Sequence, residues 1–229
     1  MQASRPPLSV AIIIPVFNES ELVVDALQRL SSLRRPGLDI IVVDGGSDDD
    51  TAALATPLAD AVLLSPPGRA SQMNTGAAAS SSDWLFFLHI DTRLSDNILT
   101  IIDSLSSASH WGFFRVRLSG SRPVFKIIAA MMNWRSQLTS VATGDQLIFV
   151  RRELFMRQRG YADIPLMEDV ELCKRLRRIA KPLCIAARVT TSSRRWQQRG
   201  VLRTIALMWW MRLAYWLGVA PQRLARWYR

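Results

Sequence analysis

The apolar run Leu85-Phe86-Phe87-Leu88 ends in His89-Ile90-Asp91, so an imidazole and a carboxylate stand two residues apart at its tip. In an open α/β sheet, ligands bind beyond the carboxyl ends of the strands. A carboxylate there can hold a divalent cation, and the cation can hold a diphosphate. Other polar residues follow the same rule. Pro15-Val16-Phe17-Asn18-Glu19 closes the first apolar run and Asp44 closes the second. Arg69-x-x-Gln72-x-Asn74-x-Gly76 opens a helix of small residues, Gly144-Asp145-Gln146 precedes a later strand, and Glu168-Asp169 opens a late helix. A positioned carboxylate can take the proton of an attacking hydroxyl. Each group also has a purely structural use. Asn18 and Ser47 suit helix caps, Asp44 an Asx-turn, Arg69, Gln72 and Asn74 a solvated helix face, and Glu168-Asp169 a helix N-terminus. Together they point elsewhere, because three of four expected parallel strands end in an acid or Asn-Glu on one sheet edge.

The elements that must position these residues are legible in outline. Ser9–Ile14, Ile40–Val43, Ala61–Leu64 and Trp84–Leu88 read as buried strands. Leu22, Val23, Ala26, Leu27 and Leu30 recur at helical spacing, with Asn18 and Glu21 as a capping-box start; Ser47 and Asp50 suggest another. Residues 70–80 form a further helix. Strands alternating with helices predict a parallel sheet covered on both faces, with right-handed crossovers. Beyond residue 107 the expected order is a strand over 113–118, a helix over 124–138, a strand over 146–150, a helix over 168–179 and a strand over 183–186. A nearly all-apolar helix over 197–217 ends the series. No internal repeat, low-complexity linker or clear domain boundary interrupts it.

Composition narrows the classes. The two cysteines, Cys173 and Cys184, form no metal or disulfide pattern, which favours a reduced, cytoplasmic setting. The N-terminal MQASRPPLSV has no secretory pattern, and no apolar run reaches the ~18 residues of a transmembrane helix. Phosphate-loop, dinucleotide, zinc-protease and nucleophile-elbow motifs are all missing. The net charge of +10 is uneven: no acidic residue follows Glu171, while residues 172–229 hold 14 basic ones. Such a tail suits an anionic membrane surface or a polyanion.

The ordered set IIIPVFNE, IVVDGGSDD, GRASQMNTG, FLHIDT, GDQ and MEDVELCKRL resembles family 2 glycosyltransferases over roughly residues 8–180. HIDT, GDQ and the tail RRW…RGV…YWLGV look most like the arsenosugar-biosynthesis-associated subgroup. The resemblance implies a GT-A fold, Rossmann-like, with a mostly parallel central sheet flanked by helices and a helical C-terminal segment. Residues 1–190 would be the transferase domain, with a nucleotide-binding half over 8–107 and an acceptor half over 108–190. Residues 191–229 would be a basic, Trp-rich helical segment. Pro15, Asn18 and Glu19 would line the nucleotide pocket and Asp44 would bind base or ribose. Arg69 and Asn74, on the helix that also carries Gln72 and Gly76, would bracket the nucleotide-sugar. Asp91 would hold Mg²⁺ or Mn²⁺, Asp169 with Glu168 would be the general base, and Asp145 would contact sugar or acceptor. The implied reaction is inverting transfer from a nucleoside-diphosphate sugar to an acceptor hydroxyl. His89 stands where the family usually has the first Asp of Asp-x-Asp. Metal ligation, phosphate contact and simple packing are all open to it.

Five of the eight Trp fall in the last 34 residues. Segment 197–229 therefore suits peripheral contact with the inner face of a membrane. The alternatives are a helix covering the sheet or a homodimer interface. Two other function classes compete. A nucleotidyltransferase would carry a Gly-rich basic loop after its first strand, where this chain has PVFNE. A non-enzymatic membrane- or polyanion-binding module would depend on the tail alone. Nucleic acid is disfavoured as a partner, because no aromatic residues interleave with basic ones on a strand platform.

Overall fold

The structure is a computed structural model that describes residues 8–106 and 108–228, without the side chains of Arg195 and Arg199. Residues 1–7 and Ser107 of the expected 1–190 domain, and Arg229 of the tail, lie outside the described residues.

The first half alternates as the sequence predicts: β1 (Val10–Val16), α1 (Ser20–Ser31), β2 (Leu38–Asp44), α2 (Thr51–Ala55), β3 (Ala61–Leu64), α3 (Arg69–Ala79) and β4 (Trp84–Phe87). Then come α4 (Ile98–Ser104), β5 (Trp111–Leu118), α5 (Pro123–Thr139), a 3₁₀ turn (Gly144–Gln146), β6 (Ile148–Arg151), α6 (Arg152–Arg157) and α7 (Glu168–Leu176). The chain finishes with β7 (Leu183–Thr191), α8 (Arg194–Arg199), α9 (Val201–Trp216) and α10 (Pro221–Tyr228). The strands form one seven-stranded sheet in the order β3-β2-β1-β4-β6-β5-β7. Only β6 runs antiparallel to its neighbours. The fold is thus α/β with a mostly parallel sheet between helices.

The apolar runs are continuous because both sheet faces are buried. Val10, Ile12 and Ile14 point to a core shared with Val23 and Leu27 of α1 and Ile102 of α4. Ala11 and Ile13 point the other way, to Met73 and Ala77 of α3 and Leu172 and Leu176 of α7. Gly76 belongs to this packing. A Cβ there would stand 2.6 Å from Ile13 Cγ2, so only glycine lets α3 lie this close to β1.

Strand order places the site. The chain steps from β1 outward to β2 and β3, then returns to put β4 on the other side of β1. A crevice opens at such a reversal, beyond the carboxyl ends of the strands. Both Pro15–Glu19 and His89–Asp91 enter it from β1 and β4.

Local signals failed in specific places. Asn18 does not cap α1; Glu19 is the cap residue, without a side-chain bond. Asn18 instead sits at φ 53° and its Oδ1 accepts from the Asp48 amide at 2.9 Å. Ser47 does not cap α2 either, being bonded to Asp44. Gln146, expected to open a strand, instead ends the 3₁₀ turn, and β6 starts at Ile148. The strand expected over 183–186 runs on to Thr191, paired along β5. The helix expected over 168–179 ends at Leu176, and the one over 197–217 breaks at Gly200 (φ 81°). Helices α4, α6 and α10 had no counterpart in the sequence reading. No helix of the described residues is long and apolar enough to cross a membrane.

Candidate active site

A cavity of about 480 Å³ opens at the reversal point. Five elements bring the residues singled out in the sequence to its lining. Pro15 lies near the end of β1 and Glu19 follows it, Arg69 and Gln72 start α3, and His89 and Asp91 follow β4. Gly144 and Asp145 come from the 3₁₀ turn, and Glu168 and Asp169 from the start of α7. Residues far apart in sequence thus meet within one small-molecule-sized space.

Each side chain has a local reason for its place. Gln72 is buried, and its Nε2 donates to the carbonyls of Val16 (2.7 Å) and Val43 (2.9 Å). It ties together the ends of β1 and β2 where they begin to part. Gly144 does two things at once. Its N–H donates to Asp169 Oδ2 at 2.9 Å, and a Cβ on it would stand 2.4 Å from the His89 ring. The imidazole therefore packs over Gly144, with Nδ1 3.5 Å from Asp145 Oδ1. Asp169 Oδ1 also accepts from the Val170 amide at 2.6 Å, which fixes its carboxylate at the mouth of α7. Met167, immediately before, is left-handed at φ 69°, as are Asn18 and, at 45°, Leu147. Non-glycine residues pay for that conformation in strain, and strain of this kind concentrates at functional sites.

The electrostatics are those of a crowded acidic cleft crossed by cations. Burial raises the Glu168 carboxyl above the usual carboxylate range and the Asp169 charge raises it further, against Arg69 and His89. Burial also raises Asp169, although the Gly144 and Val170 amides pull it back. Glu19 is raised by burial and by Asp91, with Arg194 opposing. Burial works against the Arg69 charge, but Glu168 and Asp145 outweigh it and raise that guanidinium. Paired carboxyls with raised proton affinity beside a cation make this cleft a candidate functional site.

Four residues expected at the site lie elsewhere. Asn74 Nδ2 donates to the Tyr161 carbonyl and its Oδ1 accepts from the Tyr161 amide, both at 2.9 Å; it clips α3 to the loop after α6 and does not line the cleft. Gly76 serves helix-to-sheet packing. Asp44 accepts from the Gly46 and Ser47 amides (3.2 and 2.9 Å) and from the Ser47 hydroxyl. It closes a turn beside a shallower recess lined by Phe17, Gly45, Gly46 and residues 64–67. Asn18 holds the same turn from the other side, through the Asp48 amide and through its own N–H to Ser47 Oγ at 2.9 Å.

The sequence reading missed the cleft's second wall. Trp196, Thr204, Met208, Met211, Arg212 and Tyr228 all line it. Thr204, Met208, Met211 and Arg212 share the inward face of α9, and Lys174 Nζ lies 4.4 Å from the Tyr215 ring centroid, pinning α9 to α7. The available signal was Arg212, a charge in the middle of an apolar helix.

Known proteins bear on this geometry. The profile of Glycosyl transferase family 2 matches residues 11–117. An uncharacterized glycosyltransferase of Mycobacterium tuberculosis is 36% identical over 127 residues, covering 49% of this chain and 47% of the relative. A poly-beta-1,6-N-acetyl-D-glucosamine synthase of Staphylococcus epidermidis is 29% identical over 94 residues, 38% of this chain and 23% of that one. The chain thus spans about half the mycobacterial relative and less of the staphylococcal one. Among solved structures, a mannosyltransferase from Pyrobaculum calidifontis in complex with GDP-Man and Mn²⁺ superposes with a TM-score of 0.60. It is 17% identical, covering 82% of this chain and 59% of that one. Glucosyl-3-phosphoglycerate synthase from Mycobacterium tuberculosis, in complex with Mn²⁺, UDP and glucosyl-3-phosphoglycerate, gives a TM-score of 0.56 at 19% identity, covering 80% and 71%. Over residues 11–117 the chain is therefore similar to glycosyl transferase family 2, and its fold is shared with solved glycosyltransferases.

Proposed function

We propose that this protein is an inverting, metal-dependent glycosyltransferase that moves a sugar from a nucleoside-diphosphate donor to an acceptor hydroxyl. The observation that carries the reading is one cleft holding Asp91 at the tip of β4 and Asp169 at the start of α7, with Arg69 beside them. The base of the donor would enter the recess beside Phe17, whose Gly45-Gly46 turn Asp44 and Asn18 hold in place. Glu19 and Gln72 would bound the pocket, and Arg69 would neutralise the diphosphate. Asp145 would contact sugar or acceptor. Asp169 would take the acceptor proton as its oxygen attacks the anomeric carbon, and one base opposite the leaving group gives inversion. Its raised proton affinity suits that task better than an ordinary carboxylate. Glu168, more deeply buried, would hold the local charge.

Asp91, with His89 beside it, would hold Mg²⁺ or Mn²⁺. No group of three potential ligands occurs among the described residues. One or two side chains fit an ion whose remaining positions go to phosphate oxygens and water. When bound, the ion would neutralise charge developing on the departing diphosphate.

The same reading takes residues 1–190 as the transferase domain and 197–229 as a peripheral contact of a cytoplasmic enzyme with the inner face of a membrane. A homodimer is the alternative use of that segment's apolar residues. It also keeps the arsenosugar-associated subgroup, on HIDT, GDQ and the tail motif.

Calorimetric titration of the whole chain with UDP and GDP, with and without Mn²⁺, tests the proposal. Binding of one nucleotide that needs the metal and is lost in Asp91→Ala is expected, as is donor binding without turnover in Asp169→Asn. If neither nucleotide binds and Asp91→Ala changes nothing, the transferase reading falls.

A further inference from the structure

A helix on the surface of a water-soluble protein normally turns polar residues outward. α9 does the reverse. Its outward residues Leu202, Ala206, Trp209, Leu213, Trp216 and Leu217 form one stripe at helical spacing, with Leu202 82%, Trp209 61% and Trp216 75% exposed. Trp210, beside the stripe, has its ring 6.4 Å from that of Trp227 on α10. α5 repeats the pattern with Ile127, Met131, Trp134 and Leu138, the last two both 69% exposed. The two helices are joined by a shared apolar cluster in which Phe125 and Ile128 meet Val201 and Ile205. Two packed helices with apolar outer stripes are an interaction surface, not a scatter of single exposed residues.

Charge selects the occupant. No acidic residue follows Glu171; the exposed cations Lys126 and Arg203 stand next to the stripes in sequence, and exposed Arg223 and Arg226 lie on α10, whose Trp227 meets Trp210. In a two-fold dimer the same patch meets itself, so these cations would face one another. An anionic bilayer opposes them with negative charge and accepts Trp at its interface. We propose that the outer faces of α9 and α5 dock the protein on an anionic lipid surface. The surface stands on packing and charge alone. Its consequence rests on the transferase reading. The inward face of the same α9 lines the cleft with Met208 and Met211, near Leu166 and Trp196, so the acceptor is an amphiphile with a hydroxyl and an apolar part.

Co-sedimentation of the full chain with phosphatidylglycerol/phosphatidylcholine vesicles and with pure phosphatidylcholine tests the surface. Binding to the anionic vesicles, weakened by salt, is expected. The pair Trp209→Glu and Leu213→Glu should lower it about tenfold or more, through lost apolar contact and added repulsion. Trp134→Glu should lower it as well, and full retention would remove α5 from the surface. UDP or GDP binding by the variants serves as the folding control. Equal binding to both vesicle types, or a stable dimer that ignores vesicles, overturns the proposal. Transfer assayed with a long-chain alcohol in the same vesicles separates the layers. If vesicles bind but do not raise transfer, the amphiphile acceptor falls and the docking surface stands. If nucleotides fail to bind while vesicles still do, the transferase reading falls alone.

Discussion

Glu168 and Asp169 are two carboxyls at one helix N-terminus, and burial raises the proton affinity of both. In the unfolded chain a glutamate titrates at about pH 4.3. Below that pH the acid is neutral in both states, and its contribution to stability is fully present. As pH rises through the higher folded value, the folded state must ionise a buried group, and the contribution is lost. Glu168→Gln removes that penalty while keeping the shape. Relative to the native protein it should therefore gain stability between about pH 4 and neutrality, on the order of 1 kcal/mol for each tenfold rise in the acid's proton affinity on folding. Urea unfolding at several pH values reads this directly, and a difference that does not change with pH would contradict it. At this scale the sequence was informative where an acid follows a strand or opens a helix, as with Asp91 and Asp169. It named Gly144 only as part of the GDQ motif, without a role for it. That residue matters because the His89 ring packs on its Cα and its N–H holds Asp169, two contacts made by residues 55 and 25 positions away.

Elements whose identity depends on burial were readable, and those that depend on partners were not. β3 occupies the expected residues and α3 differs by one at each end, because apolar runs and small-residue periodicity declare themselves locally. The caps of α1 and α2 did not. The loops after β1 and β2 bond to each other, Asn18 to Asp48 and Ser47 to Asn18, instead of to the helices they precede. Asn74 shows the same confusion of a family motif with an active role. Its motif position suggested donor binding, but its amide spans both polar groups of Tyr161. Asn74→Ala leaves two buried backbone groups without partners, and should destabilise the fold by about 1–3 kcal/mol. Nucleotide affinity should stay within about twofold, since the side chain lies outside the cleft. A loss of affinity without a loss of stability would return Asn74 to the site.

At the scale of the whole molecule, one cleft gathers residues from both ends of the chain. One sheet runs through both parts of the chain, and the cavity draws residues from β1, α3, β4, the 3₁₀ turn, α7 and the C-terminal helices. Composition could not reveal this, since α9 carries apolar residues both on its cleft-lining face, with Met208 and Met211 beside Thr204 and Arg212, and on its exposed face. A ligand in such a cavity bridges most of the fold, so its binding energy should appear as global stability. At a hundredfold excess over Kd, binding adds about 2.7 kcal/mol, or roughly 5–10 °C in Tm for a chain of this size. Thermal unfolding with UDP or GDP should show that rise only when Mn²⁺ or Mg²⁺ is also present. Asp91→Ala should abolish the metal-dependent part while leaving the unliganded Tm nearly unchanged, because Asp91 is half-buried and the Thr92 hydroxyl reaches its carboxylate only at 3.5 Å. A full rise in Asp91→Ala would detach the metal from β4. A rise without metal would mean that Arg69 and the cleft's other cations hold the diphosphate by themselves.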